Sequence, residues 1–205
     1  MSINSLFQKA NKFFIDNNHI EGLKTLLNIW LKYPKNLRLY NEIQKNSKKY
    51  KKQIIQTISD REIKILFDMH QEGKTNIVIN KLVELHKKNS EDILLISLMG
   101  TFYGLNNDFN KAIFFQKIAI EKAPFEVSFY LNLSKSFEKL DKVTDALSIL
   151  HFAKILSSKD QSIDYTLAKL NTDLKNYLAA DLIYKDILKE GKEINKDILY
   201  SYCTN

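Results

Sequence analysis

The chain has 205 residues, 44% apolar and 27% charged, enough to bury a substantial core and unlike the composition of a disordered segment. Five Gly and two Pro are too few for the turns of a β-rich fold of this size, and a single cysteine, Cys203, excludes an internal disulfide and a multi-cysteine metal site. The formal charge of +7 comes almost wholly from Lys, since Arg38 and Arg61 are the only arginines; without planar guanidinium forks it reads as a solvated surface, and nucleic-acid binding is disfavoured.

The apolar pattern is helical from end to end. Residues 3–36 carry Leu6, Ala10, Phe13, Gly22, Leu26 and Ile29, and close on Pro34. In 37–58, Leu37, Leu39, Tyr40 and Ile43 open a helix, the basic stretch Lys45 to Lys52 follows, and Ile54, Ile55 and Ile58 come after it. A shortened helical pair is expected here, with a local change of curvature. Ser59 and Glu62 have the spacing of a capping box and predict that the next helix opens there. Residues 59–92 then place Ile65, Leu66, Met69, Val78, Leu82 and Leu85 in a pattern that recurs at a shift of 34. In 93–126 the corresponding residues are Ile96, Met99, Gly100, Tyr103, Ala112, Ala119 and Pro124. In 127–160 they are Tyr130, Leu133, Ser134, Phe137, Ala146, Ala153 and Ser158, and in 161–194 Leu167, Ala168, Ala180, Tyr184 and Ile187. Residues 195–205, with Ile198, Leu199 and Tyr202, start a further helix.

Small residues at matching places on two successive helices permit close packing, with an aromatic one turn on to fill the space beside them. Both prolines follow a helix end at the same place in the unit. In these features the chain resembles the tetratricopeptide repeat, whose unit is an antiparallel helix pair. The best copy, 93–126, departs from that pattern at Ile96 and at Gln116, where an aromatic is usual. The resemblance implies an all-α fold, a right-handed superhelical stack of antiparallel helix pairs, in one domain spanning 1–205.

It also implies that the first helix of each unit lines a concave surface, where residues spaced 3, 4 and 3 point inward together. That selects Phe7, Asn11 and Phe14 in the first unit, and Ile63, Phe67 and His70 in the unit from 59. Later units supply Ser97 and Thr101, then Leu131, Lys135 and Glu138 with Asn132 beside them, then Tyr165, Lys169 and Thr172. The expected partner is a protein or peptide carrying apolar anchors and an acidic end, with Phe7, Phe67 and Tyr165 as aromatic anchors. One subgroup of the family grips a carboxylate tail through Lys and Asn on three successive first helices; only Asn132 stands at a matching place, so that mode is disfavoured.

Catalytic chemistry finds no support. Gly73-Lys74-Thr75 ends like a phosphate-binding loop, but Asp68 stands where that loop needs glycine. His19, His70, His86 and His151 lack metal-ligand spacing, and no cofactor motif is present. No stretch has the length of a membrane span and no leader pattern opens the chain, so a cytoplasmic protein is expected. The leading reading is a protein-interaction scaffold. The alternatives are the repeat region of a larger transferase, such as a sulfotransferase or glycosyltransferase, and weak nucleic-acid binding through Lys45 to Lys52.

Overall fold

A computed structural model describes residues 2–34, 36–47 and 58–189. Among the described residues there are eleven α-helices and no strand: α1 (Ile3–Ile15), α2 (His19–Lys32), α3 (Leu37–Ser47), α4 (Asp60–Gln71), α5 (Thr75–Lys88), α6 (Ile93–Leu105), α7 (Phe109–Lys122), α8 (Val127–Lys139), α9 (Val143–Leu156), α10 (Gln161–Asp173) and α11 (Tyr177–Lys189). The second half of the shortened unit, the basic stretch from residue 48 and the helix expected at 195–205 lie outside the described residues.

The repeat is written into the backbone at its turns. Within each pair the two helices are joined by three residues, and the middle one has positive φ: Asn17 (55°), Gly73 (79°), Asn107 (62°), Asp141 (56°) and Lys175 (59°). The next amide, that of Asn18, Lys74, Asp108, Lys142 or Asn176, donates to a carbonyl five residues back at 2.8–3.0 Å. This closure satisfies an orphan carbonyl at the end of the first helix and reverses the chain. Gly73 enters the left-handed region freely, whereas Lys175 does so at a cost. The four later positions are 34 apart, while Asn17 and Gly73 are 56 apart, that is 34 + 22. Between pairs, Asp92, Glu126 and Asp160 cap the following helices, again at intervals of 34. The Ser59–Glu62 capping box is complete: the Glu62 amide donates to Ser59 Oγ at 3.3 Å, and the Ser59 amide to Glu62 Oε2 at 3.0 Å.

From α4 to α11 each helix packs against its neighbours in the chain. Helix α6 is buried on most sides, through Leu95–Gly100 and Phe102, because α5, α7 and α8 surround it. Ala112 and Ala146, the small residues expected on the second helices, are fully buried, as are Ala119, Ala153 and Ala168.

The N-terminal helices leave this file. Helix α2 packs against α7 and α9, and α3 against α9, so the first unit lies on second helices of the later pairs. The sole tryptophan makes the junction: Trp30 Nε1–H donates to the Ser148 carbonyl at 2.9 Å, and its ring meets Phe152 edge-on at 6.4 Å. Phe152 in turn lies 5.5 Å from Tyr130, whose hydroxyl donates to the Pro124 carbonyl at 2.6 Å. Three aromatics thus tie α2 to the turn before α8.

Two outcomes follow from this packing. Ala146→Leu forces volume into a closed site and should cost about 1–3 kcal/mol in denaturant unfolding, whereas Lys142→Ala on the adjacent turn should change little. Burial raises the pKa of Tyr130 well above the ordinary 10.0. Its neutral form is therefore favoured by folding, so this contribution is intact below pH 10 and is lost as pH rises towards the higher folded value. Tyr130→Phe should cost about 1 kcal/mol at neutral pH through the hydrogen bond. The gap to the parent should narrow in alkaline unfolding curves, where the parent loses stability more steeply.

Candidate binding groove

The first helices α4, α6 and α8 line a groove of about 530 Å³. One side is apolar: Phe67 of α4, with Leu98, Leu105 and Phe109. Phe67 rests on buried Phe102 at 5.0 Å between ring centroids and still exposes 37% of its surface. The floor carries Ser97, Gly100 and Thr101 of α6, and the far side Asn132, Lys135, Ser136 and Lys139 of α8. Lys135 and Lys139 are exposed, and among the described residues neither has an ion-pair partner.

The floor is a hydrogen-bonded chain. Thr101 Oγ1–H donates to the Ser97 carbonyl at 3.0 Å and accepts from Asn132 Nδ2 at 3.3 Å. Behind it, fully buried Gln116 of α7 donates through Nε2 to the same carbonyl at 3.0 Å. Gly100 makes room for this amide, since a Cβ there would lie 2.6 Å from Gln116 Nε2. The polar residue that stands at 116 in place of an aromatic is thus bonded to the groove.

Of the residues selected from the sequence, Phe67, Ser97, Thr101, Asn132 and Lys135 come together here. The others do not line the groove. Phe7 is 1% exposed and sits under the Arg38 guanidinium, 4.5 Å from its ring centroid, because α1 buries that face against its neighbours. It offers no surface to a partner, which corrects the expectation of an aromatic N-terminal anchor. Asn11 is half-buried on the same helix. Phe14 covers Gly22, where a Cβ would lie 2.5 Å from its ring, and packs against the main core. His70 Nδ1 pairs with Thr75 Oγ1 at 2.8 Å across the intra-pair turn, and its ring meets Phe102 edge-on. Leu131 packs against the main core, and Tyr165 against the small cluster of Ala168, Ala180 and Tyr184. Lys169 donates to Glu138 Oε1 at 2.9 Å; that hydrogen bond raises its pKa and neutralises its charge locally.

Lys139, Leu98, Leu105, Phe109 and Ser136 were missed. On α8 the row facing the groove runs 132, 135, 136 and 139 rather than 131, 135 and 138. A 3-4 continuation from Asn132 would have found Lys139. Phe109 lies on a second helix and carried no signal of this kind.

No group of three metal-ligating side chains occurs among the described residues, and none of their helices is long and apolar enough to cross a membrane. No family model matches the sequence, and no curated protein does so. Solved structures do. The thermophilic tetratricopeptide-repeat protein TTC0263 of Thermus thermophilus aligns over 99% of this chain and 98% of its own, at 12% identity and TM-score 0.59. MamA from residue 41 of Desulfovibrio magneticus RS-1 aligns over 93% and 97%, at 10% identity and TM-score 0.57. PilF of Pseudomonas aeruginosa aligns over 96% and 79%, at 13% identity and TM-score 0.55. At these identities the likeness is one of fold, and the fold is the tetratricopeptide-repeat solenoid.

Proposed function

We propose that this chain, a tetratricopeptide-repeat solenoid in fold, is a protein-interaction scaffold that holds a short segment of a partner protein in the groove between α4, α6 and α8. The observation that carries the reading is the division of that groove. An aromatic ring and leucines stand on one side, hydrogen-bonding groups on the floor, and two lysines without ion pairs among the described residues on the other. A segment crossing the three helices would lay an apolar side chain against Phe67 and Leu105, and would bring a carboxylate to Lys135 and Lys139. The ring supplies contact area at small entropic cost, and the lysines supply orientation and a faster encounter.

An array of synthetic octapeptides, varied independently in apolar and acidic positions, tests this directly. Retention should require both features in one peptide. Against the best-retained peptide, Phe67→Ala should cost about 2 kcal/mol, roughly a thirtyfold loss of affinity by calorimetry. The double substitution Lys135→Ala, Lys139→Ala should cost less and should flatten the dependence on salt. Lys88→Ala, on the exposed end of α5, should leave binding unchanged. Equal losses from the groove and from α5, or retention that ignores peptide charge, would move the interface to another face.

A further inference from the structure

We infer that Gln116 is a positioning residue of the groove: through Thr101 it fixes the carboxamide of Asn132 in the orientation that pairs with the main chain of a bound peptide. The peptide part of this inference rests on the function proposed above; the positioning part does not.

The hydrogen-bonded chain runs in one direction. The Thr101 hydroxyl has one proton, and it goes to the Ser97 carbonyl at 3.0 Å. Its oxygen can then only accept from the groove side, and Asn132 Nδ2 donates to it at 3.3 Å. Gln116 Nε2 donates to the Ser97 carbonyl at 3.0 Å and makes a longer contact of 3.5 Å with the same Thr101 oxygen. With N–H groups arriving from both sides, Thr101 gives its proton to Ser97. In this arrangement Asn132 turns its nitrogen towards Thr101 and its Oδ1 away. Oδ1 has no hydrogen bond among the described residues. That oxygen and the second N–H are the acceptor and donor that a peptide bond requires.

Folding gains little from this residue, because its one interhelical hydrogen bond is offset by an unpaired amide oxygen. Gln116 is 0% exposed, and its Oε1 has no hydrogen-bond partner among the described residues. A buried unsatisfied acceptor weakens a fold. The carbonyl it bonds is mid-helix, so removing the side chain orphans nothing. A leucine of similar reach would fill the site without the polar penalty.

The experiment compares Gln116→Leu, Thr101→Val and Thr101→Ser with the parent, using side-chain amide signals in ¹H–¹⁵N spectra of the whole chain. Loss of the signal pair in Asn132→Asp assigns it. Gln116→Leu should melt at or above the parent temperature, yet shift and broaden the Asn132 pair. Thr101→Val should do the same to that pair, and Thr101→Ser, which keeps the hydroxyl, should restore the parent signals. Against the octapeptide best retained on the array, Gln116→Leu should lose about five- to tenfold in affinity, the worth of one neutral hydrogen bond. An unmoved Asn132 pair in Gln116→Leu overturns the inference. So does a lowered melting temperature with shifts throughout α6 and α8, which would make Gln116 a packing residue. If no octapeptide is retained, the scaffold reading fails while the spectra still decide the role of Gln116.

Discussion

Close approach of the two helices in a pair is possible only where the facing side chains are small, and the groove exists because that condition is met. Gly100 admits the Gln116 amide against its own backbone, and Ala112 is fully buried in the same pair. Ala146, Ala168 and Ala180 meet the same condition in the next two pairs. With the pairs held tight, the three-residue turns reverse the chain in one way, through a left-handed residue and the same backbone closure each time. Identical turns place the first helices side by side, and α4, α6 and α8 then share a surface no single pair could offer.

The N-terminal helices use the other side of the same stack. Residues 37–58 are twelve short of a full unit, and the first pair consequently cannot continue the file in register. Its apolar face is covered instead by α7 and α9, with Trp30 and Phe152 at the centre and Tyr130 behind them. The arrangement joins α1–α3 and α6–α10 in one continuous core. Part of the second-helix surface is therefore occupied by the chain itself, whereas the groove between α4, α6 and α8 stays open.

Much of the fold was legible because its determinants are local. A small residue acts within a few positions, so a shift of 34 exposes it, and the Ser59–Glu62 box marks its helix start without any tertiary information. The site was legible in part. Phe67, Ser97, Thr101 and Lys135 follow from helical spacing once the first helices are taken to face inward, and Asn132 stands beside that row. Phe7 does not, because its burial depends on Arg38, 31 residues away, and on the docking of the whole N-terminal unit. Lys139 escaped for a smaller reason: neighbouring rows on a helix differ by one residue, about 100° of rotation, and the crossing angle between α6 and α8 selects the row. Lys169 and His70 have the right positions but spend their polar atoms on Glu138 and Thr75.

Those internal pairings sharpen the electrostatics of the first-helix side. Glu138 cancels Lys169, so the positive charge there is concentrated on Lys135 and Lys139, one turn apart at the end of α8. At ordinary ionic strength such a pair acts over about 8–10 Å, a distance comparable with the spacing of packed helices. Its influence would reach a segment bound as proposed on the floor of α6 and would fade beyond it. Exposed cations of this kind contribute little to affinity on their own, and the apolar side must supply most of it. What the lysines contribute is polarity. The apolar wall and the cations stand on opposite sides of the floor, and a segment bound as proposed, with one apolar and one acidic portion, would fit across the groove in a single direction. Reversed, the same segment would bring its carboxylate against Phe67 and its apolar side chain against two solvated ammonium groups, losing both interactions at once.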